Sequence, residues 1–371
     1  MMFYTRFAAA ALLSASATLT EAAPTNMTAG GFKPPHFKTQ RVVQSEFADP
    51  GVLKVGDTWY AFATNNGKSN VRVATSTDFE SWTVKETWDA LPRTGAWTAQ
   101  PKMKTENFLP TSGNFMDTVG GLLEGRWPWS NAPPAVWAPD VVTNDLGMYV
   151  LYYSAQKKDA KNHCIGAAVG ATPQGPYEPI DEPFACHTEH GGTIDPAGFK
   201  DTATGKRYVV YKIDGNNAGN GGLCGNMKAP QVPTPIMLQE VGPDGFTKIG
   251  EPKQILDRGE ADGPLVEAPN LVRTEDGKYV LFFSSNCYST DMYDIGYAFA
   301  DSVEGPYTKA GPFAVTGTAG LKAPGGATVA QDGKHMVFHA SDGKGGRAMY
   351  TTEVSFSLGA DKKMRVAATA V

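Results

Sequence analysis

Five segments of the 371-residue chain open alike. They read DPGVLKVGDTWYAFATN from Asp49, APDVVTNDLGMYVLYYSA from Ala138, DPAGFKDTATGKRYVVYKI from Asp195, APNLVRTEDGKYVLFFSS from Ala268 and APGGATVAQDGKHMVFHA from Ala323. Each sets a small or acidic residue before proline and runs through a short apolar stretch into a turn bearing Gly or Asp. Each then leaves that turn as alternating aromatic and aliphatic residues. Period-two apolar runs around a Gly-containing turn are hairpin signals. A third strand of like character follows most copies, as in VRVATSTDFESW from Val71 and IGYAFADSVEGPYTKA from Ile295, and the Gly-Pro-Tyr turn at Gly175 recurs at Gly305. One more strand before the next copy makes four. The repeat prolines stand at 50, 139, 196, 269 and 324, at intervals of 89, 57, 73 and 55 residues. Four-stranded units of about 40–50 residues, lengthened by loop insertions, are the pattern of propeller blades. The expectation is all-β: a single five-bladed β-propeller over residues 41–371, with the segment from Arg41 lending a strand that closes the ring. Two stacked sandwiches would alternate equally well but would give no reason for five matching openings.

The N-terminus reads as a targeting segment. Arg6 precedes an apolar run from Phe7 to Leu19, and small residues follow near Ala22 and Ala23. Residues 1–23 are expected to be a secretory signal peptide, too short in its apolar part to span a bilayer. A linker over 24–40 holds the only N-glycosylation sequon, at Asn26. The protein is therefore expected to be secreted and extracellular. The four cysteines, Cys164, Cys186, Cys224 and Cys287, lack Cys-x-x-Cys spacing, which favours two disulfides over a zinc site. Three pairings are open, Cys164–Cys186 being the local one. A net charge of −5, from 33 Lys plus Arg against 38 Asp plus Glu, opposes a dominant phosphate-binding face. No nucleic-acid partner and no membrane partner is expected.

In a propeller the innermost strands line a central channel, so equivalent strand starts converge at one mouth. Here those starts bear Asp49, Asp195 and, one residue earlier in its copy, Glu267, while Ala138 and Ala323 stand in the other two and Asp140 lies just inside the second. Three carboxylates round an axis repel one another and lose hydration, which raises at least one pKa. A raised carboxyl beside an ionised one is the equipment for general acid–base cleavage of a glycosidic bond. Two insertions border the repeats: Trp97 to Pro134, with Trp127 and Trp129, and the Gly- and Asn-rich run from Asp214 to Pro235. Long loops of this kind are commonly functional.

FADP at Phe47, VWAPDV at Val136, TIDPAGF at Thr193 and VEAPNLV at Val266 together resemble the motifs of glycoside hydrolase family 43. Its members are secreted five-bladed propeller enzymes acting on arabinans, arabinoxylans and xylo-oligosaccharides. The resemblance implies that Asp49 is the general base activating water, that Glu267 is the general acid, and that Asp195 holds Glu267 and raises its pKa. It further implies inversion, with base and acid roughly 6.5–9.5 Å apart, and plant cell-wall oligo- or polysaccharide as the substrate. Trp137, Asp140 and Arg347 complete the expected substrate-binding set. Many members also carry a fifth-blade histidine that helps hold a channel calcium. Ala323-Pro324-Gly325-Gly326 has none, so no cofactor is expected, and His335 and His339 are read as structural. The chief alternative is a non-catalytic carbohydrate-binding propeller. The acid–base trio argues against it, since a lectin needs no such pair.

Overall fold

A computed structural model of the chain describes residues 37–99 and 136–369; the expected signal peptide, most of the linker and most of the first insertion lie outside them. Among the described residues there are strands and short 3₁₀ turns but no α-helix. The strands form five antiparallel sheets. Their inner strands are Gly51–Val55, Trp137–Thr143, Thr193–Lys200, Val266–Arg273 and Gly325–Val329, one per blade, I to V. Each inner strand touches the next, and that of blade V returns to that of blade I. The fold is the expected five-bladed propeller.

The second strands explain how the ring holds together. Tyr149–Gln156, Arg207–Ile213, Tyr279–Ser285 and His335–Ser341 are buried along nearly their whole lengths, because both of their faces meet a neighbouring blade. Five apolar clusters result, one per junction. Leu53 and Phe62 meet Val141 and Tyr153 between I and II, and Tyr152 meets Val209 and Tyr211 between II and III. Val210 meets Leu281 and Phe283, Phe282 meets Val329 and Phe338, and Val337 with Met349 meets Val52 and Trp59. Closure is also by hydrogen bonding: Gln40–Val43 pairs antiparallel with Arg347–Leu358, placing Gln40 against Thr351 and Val43 against Met349. The N-terminal strand thus completes the last blade, as the sequence led one to expect.

The repeat has a backbone cause. Asp49, Ala138, Asp195 and Ala268 all adopt left-handed φ, at +52°, +42°, +57° and +50°. Such a conformation costs a non-glycine residue about 1–3 kcal/mol, and each is fixed by its neighbour blade. The Ala138 N–H donates to Thr64 Oγ1 (3.0 Å), that of Asp195 to Ser154 Oγ (3.0 Å) and that of Asp49 to His339 Nδ1 (3.1 Å). In blade V this tie falls not on Ala323 but three residues later. Gly326, with φ +59°, donates its N–H to Ser284 Oγ at 3.0 Å. The fifth proline is therefore out of step with the other four: Gly326-Ala327 occupies the place held elsewhere by Ala268-Pro269. A side chain at Gly326 would meet the His339 imidazole at 2.8 Å, and one at Gly325 would enter the Tyr293 ring at 2.0 Å. The Gly-Gly pair is demanded by close approach as much as by φ.

Candidate active site

Asp49 and Asp195 are themselves the left-handed residues of blades I and III, and Glu267 immediately precedes that of blade IV, Ala268. Asp49, Asp195 and Glu267 line one cavity of about 470 Å³ with Trp137, Asp214, Asn216, Asn217, Tyr288, Tyr293 and Arg347 among its walls. That size is typical of small-molecule sites. The three carboxylates are held differently. Asp49 Oδ1 accepts from Arg347 Nη1 at 2.8 Å, and its Oδ2 accepts from the Thr64 hydroxyl at 2.7 Å. Burial alone would push Asp49 up, but the Arg347 guanidinium and the Thr64 hydroxyl outweigh it and hold the carboxyl below its ordinary range. Asp49 is thus kept ionised.

Asp195 is the opposite case. Its Oδ2 accepts the Ala268 N–H at 2.9 Å. Burial, then the charge of Glu267, push its carboxyl up to about 8, with Lys212 acting against them. Glu267 accepts from two donors, the Tyr293 hydroxyl on Oε1 (2.8 Å) and Lys212 Nζ on Oε2 (3.0 Å). A carboxyl with a raised folded pKa binds its proton more tightly in the native state than in the unfolded chain. Its contribution to stability is full below the unfolded value near 4 and is lost as pH rises through the folded one. Asp195→Asn mimics the protonated form, so the variant is expected to lose less stability than wild type between about pH 5 and 8. Urea unfolding at both pH values checks this; a parallel loss in both proteins contradicts it.

The remaining candidates divide. Trp137 is half-buried on the cavity wall, stacked on His163 with ring centroids 3.6 Å apart, and Arg347 reaches the cavity by way of Asp49. Asp140 does not join them. It lines a separate space of about 30 Å³ along the axis, and its Oδ2 accepts the Gly198 N–H at 2.8 Å. Asn270, at the same point of blade IV, accepts the Val329 N–H at 2.9 Å in the same way. A neutral amide performs the task two blades away, so Asp140 is a tie between blades rather than a sugar ligand. Asp140→Asn is accordingly expected to keep kcat/KM within about threefold, the range of a change away from reacting atoms; a loss beyond a hundredfold would return Asp140 to the site.

His339, read from the sequence as structural, touches Asp49 through both its amide and its carboxylate. Its Nδ1 lies 3.3 Å from Asp49 Oδ1, and burial together with Arg347 holds the imidazole down to about 3, so it is neutral. His335 does lie apart, its Nδ1 on Asp332 at 2.6 Å. No three His, Cys, Asp or Glu side chains among the described residues converge to hold a metal ion, and the axial carboxylates are already engaged by Arg347, Thr64 and backbone amides. These residues do not fit a channel calcium.

Sequence reasoning passed over Tyr293, Lys212, Tyr288 and Asn216. Trp97, at the start of the first insertion, stacks on Tyr153 at 6.1 Å and packs, half-buried, against the core between blades I and II; Trp127 and Trp129 lie outside the described residues. The second insertion does wall the cavity, and a disulfide between Cys224 and Cys287 fastens it to blade IV. The other bridge is the local one, Cys164–Cys186.

The chain is thus a closed five-bladed propeller with three carboxylates, Asp49, Asp195 and Glu267, gathered in one cavity. The profile of Glycosyl hydrolases family 43 matches residues 118–357, more than half of the chain, and the protein belongs to that family. The match takes in Asp195, Glu267 and Arg347 and begins after Asp49. Extracellular endo-α-(1→5)-L-arabinanase 1 of Bacillus subtilis strain 168 is 24% identical over 311 residues, 79% of this chain and 80% of that protein. Endo-arabinanase 2 of the same organism is 23% identical over 279 residues, 70% of this chain and 49% of that one. Against several curated relatives the chain spans half of their length or less. A crystal structure of a thermostable family-43 glycoside hydrolase superposes with a TM-score of 0.64 at 23% identity, covering 88% of this chain and 95% of that one.

Proposed function

We propose that the protein is a secreted inverting glycoside hydrolase that cleaves α-L-arabinofuranosyl or β-D-xylosyl linkages of plant cell-wall polysaccharides. The observation that carries this reading is that one cavity gathers Asp49, Asp195 and Glu267, with the first two carboxyls pushed in opposite directions. Asp49 is kept anionic by Arg347, and burial together with the charge of neighbouring Glu267 raises Asp195. Such a pair retains one proton into the neutral range. In the reaction Asp49 takes a proton from water as its oxygen attacks the anomeric carbon. The glycosidic bond breaks, and its electron pair goes to the leaving oxygen, which takes the proton of Glu267. Asp195 keeps that pair supplied with a proton, and Arg347 keeps Asp49 aimed. Trp137 and Tyr288, on the cavity wall, offer aromatic faces to a sugar ring.

The substrate class rests on the family and on relatives named as arabinanases and as a xylosidase/arabinosidase of Humicola insolens. Secretion is supported by the N-terminal segment, by two disulfides and by relatives named extracellular. No helix among the described residues is long and apolar enough to cross a membrane. Incubation with aryl arabinofuranoside, aryl xyloside and linear arabinan tests the reading. Sugar release from at least one is expected; binding without release would instead make this a sugar-binding propeller.

A further inference from the structure

Four of the five blades use one device at the end of the second strand, and blade III breaks the pattern. Thr64, Ser154, Ser284 and His339 each accept the backbone N–H of the kinked residue in the following blade. The cognate position in blade III is Lys212, which pairs across the strand with Ile194 as Ser284 pairs with Glu267. An ammonium has no lone pair to accept with. The orphaned donor, the Ala268 N–H, is instead satisfied by Asp195 Oδ2 at 2.9 Å, which fixes the orientation of that carboxyl. Freed from this duty, Lys212 turns its Nζ to Glu267 Oε2 at 3.0 Å and to Asp214 Oδ1 at 3.0 Å. The side chain is 0% exposed, and no surface role competes for it.

The geometry points to Lys212 as the positioning residue of the general acid, with Asp214 as its counter-anion. Lys212 and the Tyr293 hydroxyl grip the two oxygens of Glu267 from different blades, fixing the carboxyl plane. The charged and titratable groups facing the cluster are Glu267 and Tyr293 from blade IV, Asp195 and Asp214 from blade III, and Asp49, His339 and Arg347 from blades I and V. Lys212 and Arg347 are its cations. Burial would neutralise Lys212, but Glu267, Asp214 and Asp195 keep it charged. A fixed cation here lowers the proton affinity of the Asp195–Glu267 pair, and an anion at Asp214 restores part of it.

This inference rests on Glu267 being the acid, so Glu267→Gln is run beside the variants. Lys212→Met is expected to lower kcat on the order of 10–100-fold for a substrate whose leaving group needs a proton, the scale of a misplaced catalytic group. It should lose far less on a dinitrophenyl glycoside, whose leaving group departs unprotonated. The alkaline limb of its pH–rate profile should rise by about one unit or more, the effect of removing a cation at contact distance. Asp214→Asn, which removes an anion instead, should move that limb down. Opposite displacements by two neighbouring substitutions are not a symptom of poor folding, and Asp214→Asn remains decisive where Lys212→Met does not fold. Equal losses on both substrates with a stationary limb would overturn the proposal. If Glu267→Gln itself shows no leaving-group dependence, the acid assignment fails and the role of Lys212 falls with it.

Discussion

Asp49→Asn is expected to lower kcat by about 10²–10⁴-fold, the usual worth of a general base, with KM little changed. The substitution is close to isosteric, and asparagine tolerates the left-handed φ of +52° almost as well as aspartate. The amide oxygen still accepts from Arg347 or from Thr64, so the cavity keeps its shape. What is lost is the ability to take a proton from water. Arg347 then faces a neutral partner while 26% exposed, and some stability is expected to go with it. Single-turnover kinetics separate the two effects, because a folded fraction scales amplitude whereas a missing base scales rate. Undiminished rates in the folded fraction would remove Asp49 from the chemistry.

Glu267→Gln is expected to cost a similar 10²–10⁴-fold on arabinan, xylan or alkyl glycosides, whose leaving alkoxides need a proton. On a dinitrophenyl glycoside the loss should be small. A wholly structural defect would depress both substrates alike. Glutamine still accepts from the Tyr293 hydroxyl through its carbonyl, but its amide cannot accept from Lys212, whose charge then rests on Asp214 alone. Removing one partner of a buried ion pair typically costs about 3–5 kcal/mol. The variant should therefore melt below wild type, and its kinetics are best read well under that midpoint. The combination of lower stability with substrate-selective loss of rate marks a carboxyl that is both packed and catalytic.

The legible and illegible parts of this protein differ for physical reasons. Blades were readable because each hairpin repeats its turn and its period-two apolar pattern, and because the small or acidic residue before proline marks the kink. The trio followed from position alone. The fifth opening misled, since Ala323-Pro324 looks like its four counterparts while the interblade hydrogen bond selects Gly326. Asp140 misled similarly: an acidic residue near the axis suggests ligand binding, but an amide hydrogen bond from Gly198 claims it. Tyr293 and Lys212 lie in ordinary-looking strand sequence, and their meaning arises only when strands of adjacent blades face each other. One signal for Lys212 was available. The second strands of blades II and IV place Ser154 and Ser284 where blade III places a lysine, and a cation at that point of an otherwise apolar strand needs a partner.

The central claim is that Asp49 and Glu267 act as base and acid on a single displacement, and the configuration of the first-formed product tests it most directly. NMR of the reducing sugar, recorded before mutarotation, should show the anomer opposite to that of the substrate: β-arabinofuranose from an α-arabinofuranoside, or α-xylose from a β-xyloside. A product that first appears with the substrate's own configuration would require a covalent intermediate, and would contradict the role of Asp49 as a water-activating base.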